Sequence, residues 1–214
     1  MKTAKRLQQM YVRMLDQCGP QHWWPAETPF EVMVGAILTQ NTNWRNVERA
    51  ITNLREVNLL SFEVMAALPT GLLAEYIRPA GYYNVKARRL GNLLSLISEQ
   101  HNGDLEGFLG QPLALLREQL LAVKGIGPET ADSILLYAAQ HPIFVVDAYT
   151  YRILLRHDLI DAECSYHELQ ELFMDHLPAD TKLYNEYHAL LVRVGNRYCK
   201  KKSPDCDQCP LQGM

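Results

Sequence analysis

The stretch that decides the fold is Leu-Leu-Ala-Val-Lys-Gly-Ile-Gly-Pro-Glu-Thr-Ala-Asp-Ser-Ile at residues 120–134. An apolar helix leads into Gly125, Ile126 and Gly127, and Pro128 suits the first position of the next helix because its φ is already helical. Two glycines leave the backbone bare and allow a tight turn, while Ile126 can enter the core. Backbone N–H groups at such a turn form a site for a phosphate. A plain connector between two helices, without a ligand, is the alternative.

Helical periodicity dominates the rest of the chain and predicts an all-α protein of about ten short helices. The segment Thr-Pro-Phe-Glu at residues 28–31 is typical of a capping box with proline at the first helical position. Residues 143–146, Ile-Phe-Val-Val, are the best strand candidate, but they have no partner strand and are interpreted as an extended, buried connector. Further helix starts are expected at Asn43, Ser61, Thr70, Asn84, Pro128, Asp147, Ser165 and about Asp180.

Composition places the chain among soluble globular proteins, because 48% of its 214 residues are hydrophobic and 21% are charged. No stretch approaches the roughly 18 apolar residues of a membrane helix, so we expect a cytoplasmic protein without a membrane partner. The net charge of −3 gives little support to a partner held by bulk electrostatics, but positive charge is clustered. The two clusters, each either a DNA contact or an ordinary solvated surface, are Lys86, Arg88 and Arg89, and Arg193, Arg197, Lys200, Lys201 and Lys202.

The complete pattern of residues 120–134, apolar-x-x-Val-x-Gly-Ile-Gly-Pro-x-Thr-Ala-x-x-Ile, resembles the helix-hairpin-helix motif of the endonuclease III superfamily of DNA glycosylases. The resemblance spans about residues 25 to 210 and implies an all-α, two-lobed fold with a C-terminal iron–sulfur loop. It also implies double-stranded DNA with damaged bases as the partner, bound by a monomeric, nucleoid-associated bacterial enzyme. The hairpin residues expected to contact DNA are Lys124, Gly125, Ile126, Gly127 and Thr130.

The same resemblance implies a domain organisation. One lobe would comprise residues 1–22 and 112–198 and contain the hairpin, and residues 23–111 would form a lobe of the six-helix-barrel type. Residues 199–214 would form the iron–sulfur loop. The hairpin and Asp147 would face the cleft between the lobes.

Asp147 is the candidate catalytic residue. It follows the buried connector at the mouth of a helix, twenty residues after Gly127. Cleavage of a glycosidic bond passes through an oxocarbenium-like state, and a fixed carboxylate can stabilise that charge or orient the attacking water. A carboxylate in this position can also simply cap the helix that begins at Ala148. The resemblance matches Asp147 to the family's catalytic aspartate, and one side chain can do both.

Glu129 stands where bifunctional members of the family carry the lysine that forms a Schiff base with the sugar. A carboxylate cannot form an imine, so the covalent lyase route is closed at this position. Lys124 lies before the turn and is expected to meet a backbone phosphate. The sequence therefore predicts a monofunctional glycosylase that uses water.

All three tryptophans, Trp23, Trp24 and Trp44, fall in one short window. They are either core residues or an aromatic slot for a flipped base, in which each indole face would favour a cationic alkylated purine by roughly 0.5–2 kcal/mol. Together with Leu-Thr-Gln-Asn-Thr at residues 38–42 and Gly-Tyr-Tyr-Asn at residues 81–84, this window resembles the 3-methyladenine glycosylase branch. By that resemblance the tryptophans and Glu129 line the base pocket. Gln40 would fill the gap in the duplex and Tyr82 would be the wedge against the opposite strand.

The cysteine tail is the last motif. Cys199, Cys206 and Cys209 have the spacing Cys-x6-Cys-x2-Cys, which matches the first three ligands of the superfamily's four-iron, four-sulfur cluster. A fourth cysteine would stand at position 215, so either the chain continues beyond Met214 or another residue supplies the ligand. Cys18 and Cys164 are candidates, although neither has the family's spacing. Zinc is the alternative metal for the Cys-x2-Cys pair.

Two other functions stay open on the sequence alone. The first is a glycosylase for oxidised or mismatched pyrimidines, and the second is a DNA-binding module that uses the hairpin without catalysis. A comparison of base release from thymine-glycol DNA and from methylated DNA would test the first. An Asp147→Asn variant without any effect would indicate the second.

Overall fold

The computed structural model describes residues 2–214 and confirms the all-α prediction. Those residues form twelve α-helices and contain no β-strand; a 3-10 turn at Arg78–Ala80 and a π-helical segment at Ile134–Ala138 complete the regular structure. None of the helices in residues 2–214 combines the length and the apolar character needed to cross a membrane. In chain order the helices are α1 (Lys2–Cys18), α2 (Pro29–Leu38), α3 (Trp44–Glu56), α4 (Phe62–Ala66), α5 (Thr70–Tyr76), α6 (Tyr83–Gln100), α7 (Leu105–Leu109), α8 (Leu113–Ala122), α9 (Pro128–Ser133), α10 (Ala148–Arg156), α11 (Tyr166–Met174) and α12 (Thr181–Arg197).

Six of the twelve helices begin with a side-chain cap at a residue where the sequence predicts a helix start. The oxygens of Thr28, Asn43 and Asp180 each accept a hydrogen bond from the backbone N–H three residues later. Ser165 forms a complete capping box with Glu168. One start differs: α6 begins at Tyr83 rather than Asn84, after a left-handed residue with φ +48°.

The chain divides into two compact units, residues 2–25 with 142–214, and residues 26–141. The second unit is built around α2, whose residues from Phe30 to Leu38 are all buried. This helix packs against α3, α6 and the π-helical segment. Because α2 is apolar on every side, it serves as the centre of this unit.

The first unit combines α1 with α10, α11 and α12. Residues 143–146 belong to no helix or strand and are buried, as predicted for the connector. Phe144 within it stacks on Phe173 at a centroid distance of 3.9 Å. Gln170 donates to the carbonyl oxygen of Phe144 at 2.6 Å, which satisfies a buried polar group that has no sheet partner.

The boundaries of the two units differ from those implied by the family resemblance. Residues 112–141, which include the hairpin, group with residues 26–111 instead of with the terminal segments. Asp147 belongs to the other unit. The two parts of the expected site therefore belong to different units.

Candidate functional site

The hairpin consists of α8, a turn at residues 123–127, and α9. Arg117 on α8 donates to both carboxylate oxygens of the fully buried Asp132 on α9, at 2.8 and 3.2 Å, and this ion pair clamps the two helices together. Ile126 is buried, as predicted. Its N–H donates to the carbonyl oxygen of Val123 at 3.0 Å and closes the turn.

The two hairpin glycines have different roles. Gly125 has φ +101°, and a Cβ there would lie 2.5 Å from Cγ of Arg89, so both its conformation and its surroundings require glycine. Gly127 has φ −100° and no atom within 4 Å of the place a Cβ would occupy. Neither backbone strain nor packing explains a glycine at 127, and its effect is to leave the backbone bare.

Gln40, the residue expected to fill the gap in the duplex, is hydrogen-bonded to the hairpin. Its Nε2 donates to the carbonyl oxygen of Gly125 at 3.1 Å and to Oγ1 of Thr130 at 2.9 Å. Its Oε1 accepts from Nη1 of Arg89. Thr130 is buried, so its hydroxyl supports Gln40 from within the unit. The structure thus connects Gln40 with the hairpin through two hydrogen bonds and with Arg89 on α6 through a third.

Two other predicted DNA contacts are on the surface of the same unit. Lys124 is exposed, and its carbonyl oxygen accepts from Nδ2 of Asn92 at 2.9 Å. Tyr82 is 72% exposed in the left-handed turn ahead of α6. The ring of Tyr82 is therefore accessible to a partner.

Lys86 corrects the interpretation of Lys86, Arg88 and Arg89 as one surface cluster. Arg88 is exposed and Arg89 is half-buried, but Lys86 is only 1% exposed. Its Nζ donates at 2.8 Å to the carbonyl oxygens of both Leu38 and Ala80. Burial, with a smaller contribution from the charge of Arg89, lowers its pKa to about 8. Lys86 is therefore a buried crosslink between the end of α2 and the turn ahead of α6.

Asp147 caps α10 with one carboxylate oxygen and leaves the other for a second contact. Oδ1 accepts from the backbone N–H of Thr150 at 2.7 Å and from its hydroxyl at 2.8 Å. Oδ2 lies 3.7 Å from Nε2 of His188, and the Asp147 side chain is 10% exposed. Burial alone would raise the pKa of this carboxyl, but His188 and Thr150 outweigh it and hold the pKa below its usual value. The cap is thus confirmed, and the carboxylate is ionised at neutral pH.

The expected base-pocket residues are distributed over both units. Trp23 and Trp24 are half-buried in the first unit, with their rings 5.2 Å apart at 57°. Trp44 opens α3 in the second unit, where its Nε1 donates to Glu48 at 2.8 Å. Glu129 is exposed in the first turn of α9. Their convergence on one base remains a prediction.

The cysteine tail is held by α10. Nη1 of Arg156 donates to Sγ of the buried Cys199 at 3.2 Å and to the carbonyl oxygen of Lys200 at 2.8 Å. Cys206 is exposed, and Cys209 is half-buried. Within residues 2–214, no three Cys, His, Asp or Glu side chains are placed to hold a metal ion together.

Cys18 lies close to this tail, although the two are far apart in the sequence. It ends α1, and the neighbouring Gln17 donates to the carbonyl oxygen of Gln208 at 2.9 Å. Burial raises the pKa of the Cys209 thiol, and the thiols of Cys199, Cys206 and Cys18 add to that effect.

Three residues of the site, His188, Asn92 and Arg89, had no specific role predicted from the sequence. His188 interrupts the apolar run of α12 between Tyr187 and Leu190, and a histidine on a buried helix face is a signal for a polar partner. No comparable local signal exists for Arg89, because its contacts are with Gln40 and Gly125, far away in the chain.

Comparisons with known proteins agree with this fold. The model of the HhH-GPD superfamily of base excision DNA repair proteins matches residues 34–179. A protein of Methanocaldococcus jannaschii, provisionally named a DNA repair glycosylase, is 48% identical over 95% of this chain and 92% of its own length. Endonuclease III of Thermotoga maritima is 29% identical over 86% of this chain and 81% of its own length.

A solved structure gives the same result. The 3-methyladenine DNA glycosylase of Helicobacter pylori, crystallised with 1,N6-ethenoadenine, is 31% identical and superimposes with a TM-score of 0.78. The match covers 91% of this chain and 97% of that protein. On the family match and the identity to these relatives, the chain belongs to the HhH-GPD superfamily of base excision DNA repair proteins.

Proposed function

We propose that this base excision DNA glycosylase is monofunctional and hydrolyses the N-glycosidic bond of a flipped, alkylated purine such as 3-methyladenine. The observation that carries the proposal is the state of Asp147. One oxygen is used by the helix cap and the other is not, the side chain is 10% exposed, and His188 and Thr150 hold its pKa below the usual value. An ionised carboxylate in a site of low dielectric is what an oxocarbenium-like transition state requires.

Asp147 would act on the sugar and on water. As the bond to the base breaks, positive charge develops on the sugar, and Oδ2 would stabilise it electrostatically. The same oxygen would orient the water that adds to the anomeric carbon and accept its proton. A cationic alkylated base departs as a neutral molecule, so the reaction needs little acid catalysis.

Two side chains, Glu129 and Lys86, bear on the choice of water over a covalent route. The first occupies the position of the family's nucleophilic lysine, and its carboxylate cannot form an imine. The second has the lowered pKa of a reactive amine, but its Nζ is buried and donates to two carbonyl oxygens. We therefore expect no adduct after borohydride treatment with damaged DNA.

The proposed partner is double-stranded DNA, bound by the protein as a monomer. The bare backbone at Gly127 and the exposed Lys124 would contact phosphates on one strand. The exposed Tyr82 would wedge against the opposite strand, and Gln40 would leave its contacts with the hairpin to fill the gap.

The proposed lesion is an alkylated purine because the electron-rich tryptophan faces suit a cationic base. The H. pylori enzyme supports a purine lesion, since it is a 3-methyladenine glycosylase crystallised with a modified adenine. Endonuclease III of T. maritima is a weaker match at 29% identity. It is the reason to test oxidised pyrimidines and mismatches beside methylated DNA.

The proposed cofactor is a four-iron, four-sulfur cluster on Cys199, Cys206 and Cys209. The donor set suits it, because three thiols share one tail and the guanidinium of Arg156 donates to Sγ of Cys199 at 3.2 Å. The three sulfurs do not surround a common point in the described chain, so loading would require the tail to rearrange. A bound cluster would supply structural crosslinking only, and no catalytic step depends on it. Iron and acid-labile sulfide analysis, with zinc measured in parallel, tests the assignment.

One experiment tests the proposed function. Duplexes that carry 3-methyladenine, thymine glycol or a mismatch are incubated side by side with wild-type protein and with Asp147→Asn, and the free base is identified. Asparagine caps a helix as well as aspartate, so the variant keeps its fold while losing the charge. Release of 3-methyladenine by the wild type alone is the expected result. Release of thymine glycol instead, or undiminished activity of the variant, contradicts the proposal.

A further inference from the structure

His188 stands beside the proposed catalytic carboxylate without taking part in the helix cap. Its side chain is 7% exposed, and Nε2 lies 3.7 Å from Oδ2 of Asp147. The cap itself is complete without it, because Oδ1 accepts both hydrogen bonds from Thr150. The start of α10 therefore does not account for a buried histidine at this point.

The packing of α12 on α10 fixes the place of His188. At Gly195 a Cβ would lie 2.4 Å from the ring of Tyr149, so the two helices meet in close contact there. Arg152 on α10 donates to the carbonyl oxygens of Gly195 and Cys199, at 3.1 and 2.7 Å. Helices joined in this way hold the imidazole at a constant distance from the carboxylate.

The two arginines of α10 make their hydrogen bonds away from Asp147. Arg152 and Arg156 bind carbonyl oxygens at the end of α12 and in the cysteine tail. The groups that act on the charge of Asp147 are His188 from α12 and Thr150 from α10 itself. Since Thr150 occupies Oδ1, His188 is the neighbour that controls Oδ2.

We propose that His188 is a positioning residue for glycosidic bond cleavage, which directs the N–H of Nε2 at Oδ2 of Asp147 and keeps that oxygen charged and aimed at the sugar. The inference rests on the proposed function, because it takes Oδ2 of Asp147 to be the oxygen that acts on the sugar. At 3.7 Å the contact is longer than a hydrogen bond. Contacts of this kind are often long in a free enzyme and tighten in the complex with substrate.

The test compares three replacements in single-turnover release of 3-methyladenine from acid to neutral pH. His188→Leu removes the donor and keeps the bulk; we expect a rate lower by roughly ten- to a hundredfold at neutral pH, the effect of losing a hydrogen bond to a charged group. The acid limb of the pH–rate profile moves to higher pH, because Asp147 takes up a proton more readily. Affinity for a duplex with an abasic analogue stays unchanged, so the loss is in kcat rather than in KM.

Two amide variants keep the test decisive if the leucine variant does not fold. The amide nitrogen of His188→Gln reaches the position of Nε2, whereas that of His188→Asn is one methylene short. Gln should restore most of the rate and the wild-type acid limb, and Asn should not. The control, His167→Leu, removes an exposed histidine of α11 that pairs with Glu171 and should change neither quantity.

A direct titration separates this inference from the proposed function. The carboxyl carbon of Asp147, assigned by its loss in Asp147→Asn, is titrated by NMR in the free wild-type and His188→Gln and His188→Asn proteins. If the acid limb and the carboxyl titration are the same in both amide variants, the proposed role of His188 is wrong, even if the enzyme is active. A changed titration in a protein that releases no base supports the contact and overturns the proposed function instead.

Discussion

At the scale of single residues, the proposed monofunctional route can be tested at Glu129, where an amine would open the covalent route. We expect Glu129→Lys to gain a borohydride-trapped adduct with 3-methyladenine DNA that the wild type does not form. The introduced amine would have an ordinary pKa near 10.4, so fewer than about one in a thousand molecules is neutral at pH 7. Trapping should therefore be slow at neutral pH and accelerate with increasing pH. Denaturing gel electrophoresis of the trapped complex measures it.

A native lysine nearby provides the control for that experiment. Lys124 is exposed on the hairpin, so an adduct formed through it would disappear in the Glu129→Lys, Lys124→Met double variant. The adduct persists in that double variant if the amine introduced at position 129 is responsible. A wild-type protein that traps strongly by itself would show that another amine reaches the sugar. The monofunctional assignment would then be wrong.

Lys86 makes the stability of the protein vary with pH in the alkaline range. Its pKa is about 8 in the folded protein and about 10.4 in an unfolded chain, so between these values the unfolded state binds more protons. The free energy of unfolding must therefore rise with pH across this interval, on the order of 2–3 kcal/mol from this group. The neutral amine keeps two N–H donors for the carbonyl oxygens of Leu38 and Ala80, so deprotonation does not break the crosslink.

Urea unfolding at pH 8 and near pH 10 measures this contribution, with Lys86→Met as the comparison. The variant is less stable at both values because two buried carbonyl oxygens lose their donor. The stability difference between wild type and variant should grow with pH, since only the wild type carries the titrating amine. A difference that is constant with pH would contradict the lowered pKa.

At the scale of structural elements, the hairpin separates the requirements of folding from those of DNA binding. Gly125→Ala is expected to lower the free energy of unfolding by about 1–3 kcal/mol, because of its φ of +101° and the clash with Arg89. Displacement of Arg89 would also disturb Gln40. Gly127→Ala has an ordinary φ and open space, so its stability should stay within about 0.5 kcal/mol of wild type.

The DNA affinities of the same two variants complete the comparison. If a phosphate approaches the bare backbone at Gly127, the added methyl group blocks it and weakens binding about tenfold, the cost of a lost charge-assisted hydrogen bond. Fluorescence anisotropy with an abasic-analogue duplex measures this, and thermal unfolding measures stability. Wild-type affinity in Gly127→Ala would show that the hairpin does not contact the strand there.

Helix starts could be predicted from the sequence where a cap is made by neighbouring residues. Thr28, Asn43 and Ser165 each bond to an N–H three residues ahead, and such contacts are visible as short patterns. The five-residue α7 is too short for periodicity to reveal. The predicted start of α6 was wrong by one residue. The helix begins after the left-handed residue Tyr82, and no local sequence pattern indicates that conformation.

The candidate site shows the same division between local and distant contacts. The Asp147 cap and the burial of Ile126 follow from adjacent residues and were predicted correctly. Lys86 was grouped with surface charges because its acceptors, one of them 48 residues away, are set by tertiary packing. His188 was missed for the same reason: its partner lies on a different helix, forty-one residues earlier in the chain.

At the scale of the whole molecule, the net charge of −3 opposes association with a polyanion. Binding must then depend on a few well-placed cations, and one of them should be Lys124 on the hairpin. Each phosphate contact contributes about −0.9 to the slope of log affinity against log salt concentration for duplex DNA. Lys124→Gln should therefore make that slope shallower by about 0.9.

Lys5→Gln tests whether placement or total charge is responsible, because it makes the same change of net charge at an exposed position on α1. If Lys124 contacts a phosphate, only Lys124→Gln reduces both affinity and slope. Equal effects of the two variants would mean that the protein responds to DNA as a uniformly charged body, since screening acts on net charge without regard to position. The hairpin would then not be the place where the strand is held.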